Sequence, residues 1–90
     1  MDQRVKGDVE ALSRLFHVDQ AFLLECVEEA AVALSHDEAG RAELTAAGLF
    51  RLRRIERVRA ALEVEPDIAA LLVDLTDRVA ELEARLRRER

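Results

Sequence analysis

Residues 68–86, IAALLVDLTDRVAELEARL, decide the fold of this chain. Apolar residues in this stretch lie four, three, four, three and four positions apart, which is the spacing of a coiled-coil seam. The seam consists of Ile68, Leu72, Leu75, Val79, Leu82 and Leu86. A helix with one narrow apolar stripe needs a covering partner, and the commonest partner is a second copy of the same chain. The sequence therefore predicts a homodimer that forms through this C-terminal helix.

The chain as a whole is short and rich in helix-forming residues. Its 90 residues suit one domain, half of them are apolar, and only three are aromatic. With three Gly and one Pro, the composition favours helices over strands and a core of aliphatic residues. We therefore expect a single all-α domain in two parts, residues 1–64 and a dimerisation helix in residues 65–90.

Two short helices are expected near the N-terminus. Asp8 is the expected N-cap of a first helix over about residues 8–16, and a turn follows at His17. Asp19 then caps a second helix over residues 21–31, which carries a broad apolar stripe. Two short helices joined by a tight connection form a helix-turn-helix candidate.

A small wing is expected after this helix pair. Residues 32–34 are a short apolar run that is typical of a strand. Residues 35–40 are polar and contain a turn glycine. Together these residues predict a hairpin appended to the two helices.

An Arg-rich helix and the dimerisation helix complete the chain. Thr45 is the expected cap of the third helix, which ends near Val64. Pro66 suits the first turn of the fourth helix, where its missing N–H is harmless. We expect that helix to run to about Glu89.

The charge is unevenly divided along the chain. Residues 1–50 carry ten acids and four bases, and residues 51–90 carry nine acids and ten bases, so their net charges of −6 and +1 sum to −5. The acidic first half would repel phosphate, and it suits a basic or neutral protein partner better.

The arginines at positions 51, 53, 54, 57 and 59 form a basic run that could follow a phosphate backbone. On a helix they do not form a single face, and we expect Arg53 to pair with Glu56 and Arg59 with Glu63. A DNA-binding relative should place its bases on the second helix, but residues 20–31 contain no Lys or Arg. The sequence therefore argues against a nucleic-acid partner.

Five segments together resemble a known family. They read FHVD at 16–19, LECVEE at 24–29, LRRIERVR at 52–59, VEPD at 64–67 and IAALLVDL at 68–75. In this order and spacing they resemble the MerR-like helix-turn-helix family, and within it the CbpM family of bacterial chaperone modulators. That family usually has Gly where Ala30 or Ala31 closes the second helix, and a left-handed helix end is strained without Gly.

The resemblance implies a function. Proteins of the CbpM family bind the J-domain of a DnaJ-like co-chaperone and restrain its stimulation of Hsp70 (DnaK). A J-domain presents a basic helix, so an acidic surface is the expected docking site. The candidate residues are Glu25, Glu28, Glu29, Asp37 and Glu38, and a merely solvated acidic face is the alternative for them. The resemblance also implies antiparallel pairing in the dimer, although the residues themselves fit either direction.

Three other functions stay open. The chain could be a MerR-like transcriptional regulator that binds DNA, an assembly factor that ties DnaJ to DnaK, or a bare dimerisation module. Association with a J-domain protein or with DNA would distinguish them.

The sequence contains few residues that could form a metal, cofactor or catalytic site. His17 and His36 have no further His or Cys at ligand spacing, so we expect no metal and no cofactor. Cys26 lies on an apolar stripe and is expected to be a core residue. No catalytic motif occurs, so we do not expect an enzyme. Without a long apolar run, the chain is expected to be cytoplasmic and not to contact a membrane.

Overall fold

The structure is a computed structural model that describes residues 3–89. These residues form four helices and one small antiparallel sheet, so the expectation of a mainly α-helical fold is confirmed. The helices and strands are α1 (Gln3–Phe16), α2 (Gln20–Glu28), β1 (Ser35–His36), β2 (Ala42–Glu43), α3 (Ala46–Leu62) and α4 (Pro66–Arg88).

Helix α1 is longer than the sequence indicated. It begins at Gln3, and Asp8 lies inside it, so the predicted cap at Asp8 and the start at residue 8 are wrong. The physical reason is that Val5 lies on the same helical face as Val9 and Leu12 and packs against the core. The amphipathic pattern therefore extends one turn further towards the N-terminus.

Helix α2 begins as predicted and ends earlier. The Asp19 carboxylate accepts a hydrogen bond of 2.9 Å from the backbone N–H of Phe22, which confirms the cap. The helix ends at Glu28 rather than at residue 31 because Ala30 adopts a left-handed conformation with φ 57°. The N–H of Ala30 then bonds the carbonyl of Val27, and the N–H of Ala31 bonds that of Cys26. This is the Schellman arrangement that closes a helix.

The hairpin is present, but its strands lie elsewhere. Residues 32–34 are not a strand but an irregular linker. The N–H of Val32 bonds the carbonyl of Cys26 instead of a neighbouring strand, and Leu34 packs against the core. The two short strands pair in the register Ser35↔Glu43 and His36↔Ala42. Residues 35 and 36, predicted as part of the turn, form the first of them.

Helices α3 and α4 follow the sequence closely. The Thr45 hydroxyl accepts a hydrogen bond of 2.9 Å from the N–H of Gly48, and Pro66 occupies the first turn of α4, both as predicted. Helix α3 ends at Leu62, slightly before the predicted end, because Glu63 is left-handed with φ 53°. Helix α4 ends at Arg88, with Glu89 as its cap.

A single core unites all four helices. Its fully buried side chains include Val9 of α1, Leu23 of α2, Leu52 and Ile55 of α3, and Val73 of α4. Cys26 also lies in this core, as expected. Its burial, with a smaller contribution from nearby carboxylates, raises the pKa of the thiol to about 11, so the thiol stays protonated at neutral pH.

Each of the first three helices is followed by a left-handed residue that is not glycine: His17, Ala30 and Glu63. This conformation costs an L-amino acid about 1–2 kcal/mol relative to the right-handed one. Replacing Ala30 with Gly is therefore expected to raise the free energy of unfolding by about 1 kcal/mol, measured by urea denaturation at fixed protein concentration.

Ala11→Gly is the matched control, because Ala11 is exposed in the interior of α1. This variant should lose about 0.5–1 kcal/mol, since Gly is a poor helix former. A less stable Ala30→Gly protein would contradict the proposed strain at Ala30.

Candidate interaction surfaces

Helix α4 presents different residues on opposite sides. One side is buried against the rest of the molecule and consists of Pro66, Ala69, Ala70 and Val73. The predicted seam lies on the other side, since successive residues of an α-helix turn by about 100°. Five of its six residues have exposed fractions of 43–62%, and Leu72 is half-buried. The seam is therefore accessible along its whole length.

The first half of this stripe is broader than the sequence analysis recognised. Leu71 is 53% exposed and, three residues after Ile68 and four before Leu75, lies beside the seam. Leu71 was missed because it does not fit the a/d spacing. The stripe is thus wide near the start of α4 and narrow near its end.

The second half of α4 buries no residue against the body of the molecule. After Val73, no residue of this helix is buried up to residue 89. The described part of the molecule measures 52 × 34 × 22 Å, which reflects this projecting helix. Isolated helices of this length are only marginally stable in water. A covering partner would therefore stabilise this segment most.

Two arginines of α3 bind α4. Arg51 donates from Nε to the carbonyl of Ala31 at 2.7 Å and from Nη1 to the Asp74 carboxylate at 2.7 Å. Arg54 forms an ion pair with Asp77 at 2.9 Å, and these bonds lower the pKa of the Asp77 carboxyl below its usual value. These contacts fasten α4 to α3, and Arg51 also joins both helices to the end of α2.

Two more arginines of the same helix are used within the fold. Arg53 donates to the carbonyl of Phe16 at 3.0 Å, and it also lies 3.9 Å from Glu56, as predicted. The predicted pair of Arg59 with Glu63 does not form. Instead the Arg59 guanidinium stacks 4.9 Å from the centre of the Phe22 ring. Arg57 is exposed and makes no hydrogen bond, ion pair or ring contact with residues 3–89.

The fold separates the predicted acidic residues into two groups. Glu25, Glu28 and Glu29 are exposed at the end of α2, and Asp37 and Glu38 follow β1 in the hairpin. The Asp37 carboxylate accepts bonds from the N–H and the Nε of Arg41 at 2.8 and 3.0 Å. These bonds lower its pKa, and Asp37 serves mainly to hold the hairpin turn.

Glu29 also has acidic neighbours at the start of α4 that the sequence analysis missed. Helix α2 packs against α4. Desolvation, with repulsion from Asp67, Glu25 and Glu65, raises the pKa of the Glu29 carboxyl. The sequence contained one signal for this, since residues 63–67 hold three acids and no base.

An apolar groove is lined by residues that adjoin both groups of predicted acids in the sequence. It has a volume of about 330 Å³ and is bounded by the start of α1, the end of α2 and the linker that leads to β1. Its apolar lining includes Val5, Val27, Val32 and Leu34, and its polar lining consists of Asp8 and His36. Glu28 directly follows Val27, and Asp37 directly follows His36.

No protein-family model, curated protein or solved structure matches the chain. Within residues 3–89, no three His, Cys, Asp or Glu side chains are arranged to hold a metal ion. No helix of that part of the chain is long and apolar enough to cross a membrane.

The contacts of Arg51 predict a structural role for the Arg-rich helix. Arg51→Met should lower the free energy of unfolding by about 1–3 kcal/mol, because the Ala31 carbonyl and the Asp74 carboxylate lose a charged donor. The measurement is urea denaturation followed by circular dichroism.

Arg57→Met is the matched control and should unfold as the wild type does, since Arg57 makes no such contacts within residues 3–89. Equal losses in the two variants would contradict a specific role for Arg51.

Proposed function

We propose that this chain is a homodimeric, MerR-like chaperone modulator. It binds the J-domain of a DnaJ-like co-chaperone through an acidic surface and regulates access of that co-chaperone to Hsp70 (DnaK). One observation carries the proposal: the exposed acids of α2 have no basic neighbour on their helix, while four arginines of α3 are engaged within the fold.

The arrangement of the first elements supports the MerR-like interpretation. Helices α1 and α2 pack together across a short turn, a small hairpin follows, and the Arg-rich α3 leads into the long α4. The same order of elements underlies the resemblance drawn from the sequence. A function in this fold still depends on its surfaces rather than on its topology.

The exposed side of α4 supports the homodimer. Burying a large aliphatic side chain stabilises an interface by about 1.5–3 kcal/mol, and this helix presents seven such residues in one stripe. None of them is among the buried residues of the core. Dimerisation therefore covers the stripe without disturbing the packing of α4 on α3.

Leu75→Asp is the direct test of the dimer. A carboxylate in the middle of an apolar interface should weaken dimerisation at least 100-fold, which corresponds to about 3 kcal/mol. Sedimentation velocity at micromolar concentration should show a dimer for the wild type and a monomer for the variant. The monomer should retain the core and lose helical signal from the second half of α4.

Leu15→Asp is the control, because Leu15 is 67% exposed and lies on α1, away from the stripe. It should leave the dimer intact. A wild-type protein that sediments as a monomer would overturn the homodimer.

The acids of α2 supply the proposed docking surface for the J-domain. A basic helix approaching Glu25, Glu28 and Glu29 meets three exposed carboxylates that complement its charge. Complementary charge raises the association rate and fixes the orientation of a complex. Occupying the basic helix of the J-domain in this way would exclude Hsp70 by competition.

The double variant Glu28→Lys/Glu29→Lys tests this surface. It should weaken J-domain binding at least tenfold in isothermal titration calorimetry at low salt, with unchanged helix content. Glu10→Lys, on the exposed side of α1, should bind as the wild type does. Unchanged affinity of the double variant would count against the acidic surface.

Binding experiments with the J-domain protein, DnaK and DNA distinguish the other candidate functions. Retention of DnaK together with the J-domain protein would indicate an assembly factor, and exclusion of DnaK would indicate an inhibitor. Binding of DNA without the J-domain would indicate a transcriptional regulator. A protein that binds neither would be a dimerisation module.

A further inference from the structure

We infer that the groove between α1, α2 and the linker receives the basic amphipathic helix of the partner, with the apolar side of that helix facing inwards. This inference rests on the proposed function, because the helix is that of the J-domain. It differs from the proposed function in one respect, because the main contact lies in an apolar groove rather than on the acids alone.

The shape and lining of the groove suit a helix. Val5, Val27, Val32 and Leu34 give it an apolar floor, and its volume of about 330 Å³ accommodates a few aliphatic side chains. Helices that bind in grooves insert residues spaced at i, i+3 or i+4 and i+7, which lie on one side of the helix.

The charges around the groove favour a basic edge on the side of that helix that faces α2. Asp8 lines the groove and makes no hydrogen bond or ion pair with residues 3–89. Glu28 stands next to one lining residue, and Glu38 lies two positions beyond another. No Lys or Arg lines the groove itself, but Arg4 and Lys6 flank Val5 on α1, and Arg41 in the hairpin is paired with Asp37. A partner helix with Lys or Arg on the edge that faces α2 therefore meets the carboxylate of Glu28 there, and Asp8 is the acid that lines the α1 side.

A second copy of this chain is the weaker candidate for the groove. The exposed stripe that suits a second copy belongs to α4, and no residue of α4 lines the groove. The dimer and the partner helix therefore occupy separate surfaces, and one can bind without displacing the other.

Ala33→Arg is the sharpest test. Ala33 lines the groove and is exposed, so a long cationic side chain should block the groove and repel a basic helix while the core stays intact. We expect J-domain affinity to fall at least tenfold in titration calorimetry, with unchanged dimer and melting temperature. Ala61→Arg, an exposed position on α3, is the matched control and should bind as the wild type does.

Nuclear magnetic resonance of the wild-type protein supplies a test without mutation. Adding the J-domain should shift the amide signals of Val5, Val27 and Leu34 more than those of residues 78–86. Wild-type affinity in Ala33→Arg, together with loss of binding in Glu28→Lys/Glu29→Lys, would overturn the groove and leave the proposed function standing. A wild-type protein that binds no J-domain would overturn both.

Discussion

The packing of α4 on α3 determines which surfaces the molecule offers to partners. Ala69 and Val73 lie in the same core as Leu52 and Ile55, and small alanine side chains allow the two helices to approach closely. The contacts of Arg51 with Asp74 then fix the rotation of α4 about its axis. Because one side of the helix is buried, the residues half a turn away must face solvent. The exposed apolar stripe is therefore a consequence of the buried one.

Features that depend on a few neighbouring residues could be predicted from the sequence. Asp19 and Thr45 cap helices because their side-chain oxygens reach an N–H three residues ahead. Pro66 opens α4 for an equally local reason, and the spacing of the seam fixes which side of α4 its residues share. The left-handed end of α2 could also be expected from nearby residues, and Ala30 is indeed left-handed.

Features that depend on distant residues could not be predicted in this way. The bonds of Arg51 and Arg54 reach across 23 positions, and that of Arg53 reaches across 37. Sequence reasoning could offer Arg59 only partners within its own helix, whereas the fold supplies the ring of Phe22. The groove likewise combines α1, α2 and the linker, so only the fold could reveal it.

The proposed docking surface and the proposed dimerisation helix are physically connected. Arg51 bonds both the Ala31 carbonyl, just after α2, and Asp74 of α4. Glu29 lies near the start of α4, where desolvation and the neighbouring carboxylates raise the pKa of its carboxyl. The end of α2, where the groove and the exposed acids lie, and the first half of α4 are therefore held in place by the same side chain. Loss of Arg51 removes a bond from both places at once, because one guanidinium serves the Ala31 carbonyl and the Asp74 carboxylate.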